Sequence, residues 1–149
     1  MSNELDIKFF YKNTKPKRDY EVIITSFSIA VSKVIELPES LEICLYPLDD
    51  NVYGGIDRIK INRIGINYNI PLLALPKILT HELIHVNQKH TGILRVSNNG
   101  LCYWHNIPYT KQLPEHMDYN DYKNLPWELD VAHREQEVFK KALALVDKN

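Results

Sequence analysis

Two cysteines in 149 residues are too few for a disulfide framework, which excludes the class of small proteins held together by crosslinks. Cys44 and Cys102 each fall inside an apolar stretch that reads as a strand, and neither has a second cysteine at the close spacing of a thiolate metal site. Both are therefore expected to be small buried hydrophobes. No window approaches the roughly 18 apolar residues that a spanning helix needs, so no membrane partner is expected. The opening MSNELDIKFF carries Glu4 and Asp6 where a signal peptide would carry basic residues and an apolar run, and a cytoplasmic location is expected. Neither sign of charge dominates: 18 basic and 19 acidic side chains leave −1, short of the positive field that nucleic-acid binding usually requires. The basic run Lys12, Lys15, Lys17 and Arg18 around Pro16 reads as a solvated turn rather than a patch. Internal repeats and low-complexity tracts are also missing.

What is present is the composition of an ordinary globular domain. With 44% hydrophobic and 25% charged residues the chain is neither disordered nor collagen-like, and its length predicts one domain over residues 1–149. Strand formers crowd residues 5–11, and apolar residues at helical spacing (Ile23, Ile24, Phe27, Val31, Val34 and Ile35) predict a helix over 19 to about 37, stopped by Pro38. Leu41, Ile43 and Leu45 alternate with Glu42 and Cys44. After a turn containing Asp49, Asp50, Asn51, Gly54 and Gly55, two more strands are predicted at 56–61 and 64–70. Pro71 and Pro76 bracket the start of a second helix that runs to a stop at Gly92. A hairpin is predicted at 93–96 and 101–105, joined through Asn98, Asn99 and Gly100, then an irregular aromatic loop, then a last helix opened by Asn124 and Pro126 and reaching about residue 146.

The sharpest chemical signal is His81-Glu82-Leu83-Ile84-His85, an HExxH pentapeptide within the second predicted helix. Residues four apart on a helix share a face, so His81 and His85 can offer ring nitrogens to one Zn²⁺ at about 2.0 to 2.1 Å, and Glu82, one step round, can reach a water that such an ion would hold. Leu75, Leu79, Leu83 and Val86 form a separate apolar face, while Gln88 falls on the side of the histidines. The plain alternative is a chance cluster of two histidines and a glutamate.

A third ligand is required. The extended pattern with a glycine three and a histidine six residues after His85 fails, since Gln88 and Thr91 stand there. The best candidate is Glu128, at the start of the last helix, on a stripe with Ala132, Glu135, Phe139, Ala142 and Val146. Two carboxylates in an apolar stripe are costly to bury unless a cation or donor meets them. The alternative for Glu128 is a first-turn acid that satisfies backbone N–H groups and the helix dipole. Glu135 is the main rival, as ligand or as acceptor for a histidine N–H; His105 is another. Asp130 and His133 are read as solvated, His90 as a partner of its helix C-terminus, and His116 as a loop residue. Tyr109, Tyr119 and Tyr122 are possible phenolic donors to an oxyanion, and Trp104, Tyr109 and Trp127 are either cleft walls or core.

LTHELIHVNQ (79–88) and LPWELDVAHREQE (125–137) together resemble the two ligand helices of small gluzincin-type zinc metallopeptidases, similar to zincin-like proteins of bacteriophages and bacteria. The resemblance implies a minimal zincin-like α+β fold, with a small, mostly antiparallel sheet packed on an N-terminal helix, an HExxH helix and a C-terminal ligand helix. It implies His81, His85 and Glu128 as ligands of Zn²⁺, Glu82 as general base, and Ala132 as the small residue that lets the two helices approach. The implied activity is hydrolysis of a protein or peptide in the cytoplasm, a host's where the gene is a phage's. A second reading, from a different class, is a catalytically silent, metal-stabilised binding or inhibitor protein acting on a host or cellular partner.

Overall fold

The computed structural model describes residues 5–47, 54–56, 61–97, 101–109 and 119–147, with the backbone alone at 54–56, 119–120 and 147. Strand β1 (Asp6–Tyr11) is followed by helix α1 (Arg18–Ser32) and strand β2 (Ser40–Tyr46). In β2 the period of two does its expected work: Leu41, Ile43 and Leu45 are fully buried on one face, while Glu42 and Cys44 are half-buried on the other. Helix α1 buries Tyr20, Ile24, Phe27 and Val31. It ends earlier than predicted, at Ser32, in a tightened last turn: the amides of Lys33 and Val34 donate three residues back, to Ala30 at 3.1 Å and Val31 at 2.9 Å, and that of Ile35 also donates to the Val31 carbonyl, at 3.0 Å.

The short strand β3 (Gly54–Ile56) pairs with β4 (Arg63–Asn67), and the sheet order is β1-β2-β4-β3. The expected mostly antiparallel sheet is not what forms here. β1 and β2 are parallel, as are β2 and β4, and only β3 and β4 are antiparallel. The helical crossover through α1 returns the chain in the same direction, and β3 takes the outer edge, so β4 comes back beside β2 parallel to it. Gly65 in β4 lets the Tyr46 ring of the neighbouring strand lie across it; a Cβ there would collide with that ring.

A 3₁₀ turn at Leu72–Ala74 leads into α2 (Leu75–His90), with Pro76 in its first turn where a missing N–H costs nothing. The helix stops at Thr91 and Gly92, and Gly92 takes the left-handed φ of +83° that a helix exit favours. Leu75, Leu79, Leu83 and Val86 are fully buried as the wheel predicts. The helix packs against α1, β3, β4 and the last helix at once, so its polar side is buried too: Thr80, Glu82, His85, Asn87, Gln88 and Lys89 all lie inside. Buried polar groups need partners, and the site is built from them.

The aromatic segment forms a second sheet, β5 (Leu94–Val96), β6 (Cys102–Trp104) and β7 (Ile107–Pro108), antiparallel throughout. Strand β7 was not foreseen. It follows a tight turn in which His105 and Asn106 both adopt positive φ, 52° and 66°, as a two-residue hairpin requires. The joining residues Asn98, Asn99 and Gly100 lie outside the described residues. Two helices close the chain, α3 (Tyr119–Lys123) and α4 (Pro126–Asp147).

One hydrophobic cluster fills the space between the four-stranded sheet and α1, α2 and α4. A smaller one joins Leu94, Leu125 and Trp127 with Cys102, Trp104 and Tyr109, and seats the second sheet on the start of α4. The result is a mixed α+β fold. No helix among the described residues is long and apolar enough to cross a membrane. No disulfide joins Cys44 and Cys102. Lys12, Lys15 and Arg18 are exposed, but Lys17 is not a solvated charge: it donates to the Tyr68 carbonyl at 2.9 Å and lies over the rings of Tyr20 and Tyr68.

Candidate metal centre

Helix geometry puts His81 and His85 one turn apart on α2, with ring centroids 5.0 Å apart. Glu128 reaches them from the first turn of α4. Its Oε1 is 3.4 Å from Nε2 of His81 and its Oε2 is 3.0 Å from Nε2 of His85. One donor atom from each of the three side chains lies within 4.8 Å of the other two, so the group can hold a metal ion. Ligands of a tetrahedral divalent ion at about 2.0 to 2.2 Å stand about 3.3 to 3.6 Å from one another, and of the two histidine–glutamate separations one, 3.4 Å, lies in that range and the other, 3.0 Å, just below it. The donor set therefore fits such an ion.

Each imidazole is anchored through its far nitrogen. Nδ1 of His81 is 3.2 Å from Oε2 of Glu135, and Nδ1 of His85 is 2.8 Å from Oε1 of Gln88. Glu135, the rival ligand, thus takes the role of acceptor for a histidine N–H. It lies two turns beyond Glu128 with its side chain 45% exposed, whereas that of Glu128 is 7% exposed. His105 is not part of the group: it is exposed on the β6–β7 turn with its ring edge-on to Trp104. His90 and His133 are exposed, and His116 lies outside the described residues.

The electrostatics follow from this crowding. Burial works against a charged His81, but Glu128, Glu82 and Glu135 outweigh it and push its pKa up to about 9. Burial also favours a neutral Glu128, yet hydrogen bonds from His81 and His85 win and bring that carboxyl down to about 2. Glu82, buried on α2 beside both histidines, is pushed up by desolvation, with the histidines opposing and Glu128 adding.

Tyr122 on α3 reaches the centre. Although the residue as a whole is 44% exposed, desolvation raises its pKa, Glu128 and Glu82 add to the rise, and its hydroxyl hydrogen bonds with Glu128. Tyr109 instead packs edge-on against Trp127, at 5.5 Å between centroids, in the smaller cluster. Trp104 packs against the same cluster; of the three aromatics Trp127 is buried, and Trp104 and Tyr109 are partly buried. The side chain of Tyr119 lies outside the described residues.

Two expectations for α4 are corrected. Ala132 is exposed and does not sit between the helices; Val131 and Val138, fully or nearly buried, occupy the contact with α2 and α1. The buried stripe passes through 128, 131, 138 and 142, so the phase differs by part of a turn from the one read on the wheel. Asp130 is not a solvated bystander either. It accepts from Gln88 Nε2 and from Arg134 Nη2, each at 2.9 Å, and Arg134 also donates to Asn87 at 3.0 Å. Gln88 and Asn87 stand within LTHELIHVNQ, but periodicity does not show what they bind.

Compared with protein-family models, curated proteins and solved structures, the chain matches none.

Proposed function

We propose that this chain is a zinc-dependent metallopeptidase with a minimal zincin-like fold, in which His81, His85 and Glu128 hold the ion and Glu82 is the general base. The reading is supported above all by the convergence of two imidazoles and a buried carboxylate from two helices, with a second buried carboxylate, Glu82, on the histidine helix. Two nitrogens and one oxygen suit Zn²⁺, and three protein ligands leave the open position that distinguishes catalytic from structural sites. When bound, the ion would supply Lewis acidity to a substrate carbonyl and to a water.

The remaining work falls to the chain. Glu82 takes the proton of the attacking water and passes it to the leaving amine; desolvation, which favours its neutral form, suits it to hold that proton between the two transfers. Tyr122, whose hydroxyl bonds to Glu128, is the proposed donor to the carbonyl oxygen as negative charge builds there. Glu135 and Gln88 keep the imidazoles in place. The outer strand β3, packed against α2 and paired with β4 on one side, offers an edge along which an extended peptide can lie.

The test compares wild type with Glu82→Gln for zinc content and for cleavage of an unfolded protein and of a mixed quenched-fluorescent peptide library. Full metal occupancy with cleavage lost is the expected result. Cleavage equal to wild type in that variant would refute the mechanism.

A further inference from the structure

We propose that Gln88 is the positioning residue of this centre: one buried amide sets the tautomer of His85 and holds the first turn of α4 so that Glu128 faces the imidazoles. The proposal rests on the metal reading above and deepens it. Gln88 is fully buried and all its polar atoms are engaged. Its Oε1 is 2.8 Å from Nδ1 of His85, and its Nε2 is 2.9 Å from both the Trp127 carbonyl and Oδ2 of Asp130.

The chemistry of the partners fixes which way the amide points. A backbone carbonyl can only accept, and the Asp130 oxygen that faces Gln88 also accepts from Arg134, at 2.9 Å. The NH₂ end must therefore face Trp127 and Asp130, and the oxygen must face His85. An acceptor at Nδ1 requires the hydrogen on that nitrogen, so Nε2, 3.0 Å from Glu128, is the one free to ligate. Trp127 and Asp130 also flank Glu128 in sequence. The side chain that orients one ligand thus grips the stretch of α4 that delivers another. Asn87 extends the same interlock, donating to the Glu36 carbonyl at 2.7 Å while accepting from Arg134. No hydrocarbon of the same length could meet these three partners.

Zn²⁺ affinity by competition with a chromophoric chelator, with metal-free folding by circular dichroism, tests this on the full chain. Gln88→Met, close in volume, should fold and bind Zn²⁺ about 10 to 100 times more weakly. Gln88→Glu keeps an acceptor for His85 but cannot donate to Trp127 and repels Asp130, so it too should bind weakly. Adding Asp130→Asn restores a donor between the helices and should recover about tenfold or more of the loss. Long-range ¹H–¹⁵N spectra of the zinc-loaded wild type should place the His85 proton on Nδ1. A folded Gln88→Met that binds within about twofold of wild type, or a proton on Nε2, overturns the proposal alone. If Gln88→Met does not fold, the Gln88→Glu pair decides, and no recovery on adding Asp130→Asn overturns it. Wild type that takes up no Zn²⁺ overturns the metal reading and this proposal with it.

Discussion

Proton competition at His81 should govern how tightly the centre holds a metal near neutral pH. With its pKa pushed up to about 9 by Glu128, Glu82 and Glu135, only about one metal-free molecule in a hundred has a deprotonated His81 at pH 7. A metal must displace that proton, so apparent affinity should rise about tenfold per pH unit near neutrality, about fiftyfold from pH 7 to 9, and level off above. Glu128, held at about 2, is already ionised throughout this range and adds no slope. An ordinary histidine at 6.5 would instead level off just above neutrality. The assay is Zn²⁺ competition from pH 6 to 9, corrected for protonation of the competing chelator, with calorimetry in two buffers of different ionisation enthalpy to count protons released. About one proton should leave per ion at pH 7, and Glu135→Gln, by removing one of the carboxylates that hold it, should move the break point to lower pH. Affinity that is flat from pH 7 to 9, or uptake without proton release, would refute the electrostatic reasoning.

In the metal-free protein the same groups shape stability. The raised His81 contributes stability that is full below about 6.5 and lost as pH rises through about 9, and the depressed Glu128 contributes stability that is full above about 4.5 and lost toward about 2. Melting in the presence of chelator should therefore be highest between pH 4.5 and 6.5 from these two groups, and a melting temperature that climbs steadily from 6.5 to 9 would contradict this. Leu83→Ala empties a fully buried position under the centre and should cost about 2 to 5 kcal/mol in urea unfolding. Gly92→Ala meets no atom within 4 Å but must adopt a φ of +83°, so it should lose about 1 to 2 kcal/mol from backbone strain alone, with Gly92→Asn losing less.

Some of this architecture is legible in the chain by local rules. Alternation at Leu41, Ile43 and Leu45 marks a strand with one buried face, and Leu75, Leu79, Leu83 and Val86 mark the inner side of α2. Pro76 and Gly92 bound that helix as their backbone preferences demand. Other features escaped for identifiable reasons. Val34 and Ile35 continue the helical period past Ser32, so apolar spacing alone overran the end of α1. The direction of strand pairing depends on the path between strands, which residue patterns within β1, β2 and β4 do not record. Ala132 looked suited to a close helix approach, yet a shift of part of a turn in α4 exposes it and buries Val131.

By itself, the amino-acid order determined the pair of imidazoles, because a spacing of four on a helix fixes their common face whatever surrounds it. It also put forward Glu128 as the third donor, with Glu135 and His105 as rivals. Tertiary packing alone decided between them: where α2 and α4 meet, Glu128 is drawn into the buried end of the contact and Glu135 stays half in solvent. Packing likewise turned Gln88, Asp130 and Tyr122 toward the centre, since partners across two helices are set by how the helices dock and not by any interval along either one.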